Sequence, residues 1–170
     1  MSGLPLKYFL IQPRLIREGE VRSEELWITS KVWNHAHGEG KVLSVREKSL
    51  KDLRLDYLDL YLLHWPLPNY HAPGCDGDAR NPDSRPYIHE ELVAWRQMEQ
   101  LVDRRMVRTI GTSNMTRPKM ELLFRVARIK PVINEMELHP HFQQQALIDY
   151  LVEKGIQPIG HPRLGGFVEY

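Results

Sequence analysis

LDYLDLYLLHWP, residues 55–66, is the stretch on which the fold turns. Leu58, Leu60, Leu62 and Leu63 form a short apolar run, entered at Asp56 and stopped by Pro66, and that reads as a strand at about residues 58–63. Upstream, KVLSVREKSLKDL (41–53) repeats Val42, Val45, Leu50 and Leu53 at helical spacing with charges between them, which predicts an amphipathic helix. Before it, LWITS (26–30) is apolar and β-branched, as a buried strand requires, and the polar NHAHGEG joins the two. Residues 1–22 mix apolar and basic residues around Pro13 without a clean period and form a poorly defined N-terminal segment, with a helix end at 15–18 closed by Gly19.

Downstream of Pro66 lies a proline-rich loop, 67–86, holding Gly74, Cys75 and Gly77; loops of this length are uncommon unless they act as a lid or rim. Order resumes with a helix at 89–105, whose Leu92, Trp95, Met98, Leu101 and Val102 mark a buried face. VRTIG (107–111) is a strand, RPKMELLFRVA (117–127) a helix, PVINE (131–135) a strand, QQQALIDYLVEKG (143–155) a helix and IQPIG (156–160) a strand. About five strands with four intervening helices predict a parallel α/β architecture with right-handed crossovers. Both a doubly wound sheet and part of a (β/α)8 barrel fit that order. A doubly wound sheet wants a glycine-rich first turn, which TSKVWNHAHGEG does not supply. Polar residues after several different strands favour the barrel, where strand ends converge on one mouth. The expected domain is a partial barrel over 23–170.

The chain has 170 residues, enough for one core and too few for two full ones. Its 23 basic and 22 acidic residues are interspersed, as in LVDRRMVR, so no basic field points to a nucleic acid. Cys75 stands alone and cannot form an internal disulfide, which permits a reducing compartment. With no apolar run long enough to span a bilayer and no secretory signal, the expectation is a cytoplasmic protein without a membrane partner.

Several residues at strand ends could carry chemistry. Lys31 follows a strand amid apolar neighbours, so it is either paired with a carboxylate, depressed in pKa, or a rim lysine whose head reaches water. His64 closes LYLLH and is either a satisfied rim residue or a group facing the same pocket as Lys31. GTSN (111–114) reads as a helix N-cap or as hydroxyl and amide groups offered to a planar amide. In NEMELHP (134–140), alternation sends Glu135, Glu137 and His139 to one side and Asn134 to the other. A buried hydrogen-bond network accounts for that cluster better than a metal, since His139 and Glu137 lack a third firm ligand.

Taken in order, ELWITSKVWN (25–34), LDYLDLYLLHWP (55–66), VRTIGTSN (107–114) and PVINEMELHP (131–140) resemble successive signatures of the aldo-keto reductase family, including the 33 positions from Lys31 to His64. The resemblance covers about residues 15–165 and implies a (β/α)8 barrel of which this chain is a part, lacking N-terminal and C-terminal portions. It implies NADPH, less often NADH, bound across the strand ends, and reduction of a small aldehyde or ketone by hydride transfer without a metal. Lys31 would then correspond to the lysine that tunes a tyrosine acid, and His64 to the histidine that orients the carbonyl. Trp33 and Trp65 would line the substrate pocket, and Ser113 and Asn114 would hold the nicotinamide carboxamide.

Four departures follow from the same comparison. The family's acid tyrosine would fall near Ser2, and Tyr8 lies in no matching context, so the chain lacks the expected tyrosine and aspartate and Lys31 loses its expected charge partner. Glu135 stands where glutamine is usual, beside the cofactor amide, and a carboxylate accepts a hydrogen bond there without donating one. His161 replaces a stacking tyrosine in HPRLG, with Leu164 completing the candidate cofactor set. The last strand and the loop that grips a 2'-phosphate are expected beyond Tyr170. Five strands of an eight-strand barrel would also leave sheet edges open to self-association, the route by which an inactive relic would act.

Overall fold

A computed structural model describes residue 18 and residues 22–53, 55–65 and 89–161. The loop at 67–86, Leu164 and most of the N-terminal segment lie outside the described residues, as do the side chains of Leu53 and Leu92. Five strands, β1 (Thr29–Val32), β2 (Leu58–Leu63), β3 (Val107–Ser113), β4 (Ile133–Glu137) and β5 (Gln157–His161), alternate with four helices, α1 (Lys41–Leu53), α2 (His89–Asp103), α3 (Arg117–Phe124) and α4 (Gln145–Glu153). The sheet is parallel throughout with spatial order equal to chain order. That is a partial (β/α)8 arrangement, because a doubly wound sheet would reverse its strand order at a switch point.

Parallel strands covered by crossover helices have no wet face, and β2 is buried at all six positions, including Asp59. Tyr61 and Leu63 face the helices and join the main core with Trp95, Met98 and Leu101 of α2, Met120 and Leu123 of α3, and Leu151 of α4. Leu60 and Leu62 alternate to the opposite face and are equally buried. Each such apolar side chain contributes about 1.5–3 kcal/mol on burial. Buried charges are tied down locally. The Asp59 carboxylate accepts from the Ile28 amide at 2.9 Å and from Arg108 at 2.8 Å, while Arg46 donates to the carbonyls of Asp56 and Met106 at 3.2 and 2.6 Å. Glu99 accepts from the amides of Arg128 and Ile129 at 2.7 and 2.9 Å, fixing the approach to β4.

Two sequence expectations shift. LWITS is centred too early: β1 runs Thr29–Val32, although the Ile28 carbonyl already accepts from the Asp59 and Leu60 amides at 3.0 and 3.2 Å. Pairing begins there because Asp59 captures Ile28, while Trp27 stays 63% exposed. The capping reading of GTSN also fails. Ser113 belongs to β3, and the N-cap of α3 is Thr116, two residues before Pro118 in the first turn.

Candidate active site

The carboxyl ends of β1 to β5 open on a cleft of about 370 Å³ lined by Lys31, Trp33, His64, Trp65, Asn114, Glu135, Glu137 and His161. Strand register explains the company. Lys31 and Val32 pair with Leu62 and Leu63, so His64 leaves β2 level with Trp33, and its amide donates to the Val32 carbonyl at 3.2 Å. The His64 ring lies 4.6 Å from that of Trp33 and 5.9 Å from that of Trp65, centroid to centroid, held between two aromatic walls. Ser113 pairs with Glu135, and Glu137 with His161.

Lys31 Nζ donates to Glu135 Oε1, an ion pair joining residues 104 apart in sequence. Their strands are three positions apart in the sheet, which in a flat sheet is about 14 Å. Curvature toward the barrel axis therefore brings the two side chains together. Of the three readings open for Lys31, pairing with a carboxylate is the one the structure has. The carboxylate is Glu135, a partner other than the aspartate that the resemblance implied. Both side chains are partly screened from water, at 31% and 16% exposure, so the pair is neither a solvated rim contact nor a dry buried one.

Asn114 ties the ends of four strands. Its backbone takes a left-handed φ of 59°, which asparagine tolerates, and its amide donates to the Glu135 carbonyl at 2.7 Å. Its side-chain nitrogen donates to the His64 carbonyl and to Ser113 Oγ, both at 3.0 Å, and its Oδ1 lies 3.4 Å from His161 Nε2. Ser113 is fully buried behind it, so Ser113 reaches the cleft only through Asn114. Asn134, on the other face of β4, accepts from Thr112 Oγ1 at 3.0 Å and the Met115 amide at 3.3 Å, and donates to the Met115 carbonyl at 3.1 Å. Of the cluster read from NEMELHP as a buried network, Asn134 alone is part of this one, while Glu135 and Glu137 on the opposite face line the cleft.

Sequence reasoning chose every lining residue except Glu137, whose signal was its alternation with Glu135. Glu137 is bonded to His139 at 3.3 Å, and among the described residues no group of three or more His, Cys, Asp or Glu side chains is placed to hold a metal. A second cleft, about 410 Å³, lies between α1 and α2 and gathers Glu39, Arg96, Gln97 and Arg104.

The profile of the Aldo/keto reductase family matches residues 11–170. The chain belongs to that family. This aldo-keto reductase chain is 40% identical over 165 residues to the NAD(P)H-dependent D-xylose reductase of Pachysolen tannophilus, covering 89% of itself and 50% of that protein. It is 36% identical over 157 residues to the glycerol 2-dehydrogenase (NADP(+)) of Hypocrea jecorina, with 89% and 49% covered. Among solved structures it matches aldose reductase from Giardia lamblia at TM-score 0.73 and 34% identity, covering 91% of this chain and 51% of that one. A Bombyx mori aldo-keto reductase in complex with NADP matches at TM-score 0.73 and 32% identity, with 87% and 45% covered. The chain thus spans about half the length of the relatives it matches. None of its described helices is long and apolar enough to cross a membrane.

Proposed function

We propose that this chain carries the nicotinamide end of an NADP(H)-dependent oxidoreductase that reduces small aldehydes or ketones to alcohols in the cytoplasm. The observation that carries the reading is the convergence of Lys31, His64, Asn114, Glu135 and His161 on one cleft at the strand ends. The relatives named for NAD(P)H or NADP support the cofactor class. The polar set suits a carboxamide: Glu135 and Asn114 Oδ1 accept from its N–H groups, Lys31 Nζ donates to its oxygen, and the His161 ring offers a flat face beside them. The nicotinamide supplies the hydride when bound. The Trp33 and Trp65 rings exclude water from the carbonyl, and His64 between them holds its oxygen. The described cleft contains no tyrosine to protonate the alkoxide, so the proposed chemistry is incomplete in this part of the barrel.

Calorimetric titration of NADPH into the monodisperse chain tests this. Saturable binding near 1:1, weakened by Asn114→Ala, is the expected result; no heat from a folded sample overturns it. A second reading, a barrel fragment acting through association, is favoured by one observation: among the described strands β1 pairs only with β2 and β5 only with β4.

A further inference from the structure

The cleft brings two carboxylates, Glu135 and Glu137, against one ammonium, Lys31, among the described residues that line it. Asn114, Trp33 and Trp65 carry no charge, and the two imidazoles, His64 and His161, are uncharged in their neutral forms. Glu135 is mostly screened from water and occupies the position opposite the Asn114 amide, where its backbone carbonyl also accepts from Asn114. A glutamine there would be neutral and could donate as well as accept; a carboxylate can only accept and brings a negative charge.

The two redox forms of a nicotinamide differ in the property that such a charge reads. The oxidised ring is a cation and the reduced ring is neutral, while the rest of the molecule is the same. Resting on the cofactor assignment above, we infer that Glu135 makes this cleft discriminate by redox state, holding the oxidised nicotinamide in preference to the reduced one. Lys31 moderates the effect: its ammonium, bonded to Glu135, offsets part of the field, and Glu137 restores the negative sign. Binding the oxidised form more tightly favours hydride transfer from the bound reduced ring to a carbonyl, and slows release of the oxidised form afterwards.

The test is a pair of titrations, NADP+ and NADPH, each into the folded chain and into its variants, read as the ratio of the two dissociation constants. Glu135→Gln keeps the shape and removes the charge; it is expected to shift the ratio toward NADPH by about tenfold, the scale of one unit charge several ångströms from a cation in a partly wetted pocket. Glu135→Asp, which keeps the charge, leaves the preference for NADP+ in place. Lys31→Met removes the offsetting ammonium and shifts the ratio the opposite way, so it decides the matter if Glu135→Gln does not fold. An unchanged ratio in Glu135→Gln, with both forms still binding, overturns this inference and leaves the proposed function standing. Binding of neither form to the folded wild-type chain overturns both.

Discussion

Asn34 and His37, in the turn between β1 and α1, are 3% and 1% exposed, and none of their side-chain nitrogen and oxygen atoms has a hydrogen-bond partner among the described residues. Each unsatisfied polar group costs about 1–3 kcal/mol. Burial, helped by the neighbouring His35, lowers the His37 pKa from 6.5 to about 4. Because the folded value is the lower one, the unfolded chain binds the extra proton first as pH falls. Stability is therefore complete above pH 6.5 and lost as pH drops toward 4, by roughly 3 kcal/mol from this residue. Urea unfolding at pH 7 and pH 4 should show His37→Leu with a correspondingly smaller acid loss; an acid loss equal to that of wild type would refute the assignment. Lys31 shows how far a single residue can be read. Desolvation at a strand end demands a partner or a shifted pKa, which local sequence reveals, but nothing local names Glu135.

At the scale of elements, β3 depends on a close approach that only glycine permits. A Cβ at Gly111 would lie 2.7 Å from Leu62 Cδ2 and 2.9 Å from the Ile133 carbonyl oxygen, wedging β3 from both neighbours. Gly111→Ala is expected to cost about 1–3 kcal/mol, visible as a lowered Tm, and wild-type stability in that variant would show that the strands give way freely. The number and kind of elements were legible because buried parallel strands and amphipathic helices have different apolar periods. Their edges were less so. The helix expected at 117–127 stops at Phe124, and the strand expected at 131–135 runs Ile133–Glu137. Such limits depend on which carbonyls find partners on neighbouring strands, information absent from the local pattern. Asn114 was chosen as an amide offered to a ligand, and the structure shows its amide nitrogen also joining His64 to Ser113.

For the whole molecule, curvature is the governing quantity. It turns one face of the sheet inward and brings Lys31 to Glu135, while Trp33 and Ile159 stay 46% and 38% exposed. With β1 and β5 each paired on one side among the described strands, we expect the apparent mass in sedimentation to rise with concentration, and Ile159→Lys to suppress the rise. A monomer at all concentrations would remove the association reading. The sequence by itself determined the α/β alternation, because apolar period is a local property, and its motifs carried the family resemblance, which together with strand-end chemistry named seven of the eight residues that line the cleft. Only the tertiary structure decided that Glu135 balances Lys31, that Glu137 joins the cleft and that Ser113 sits behind Asn114, because these depend on how far the sheet bends, which is set by all its strands packing together.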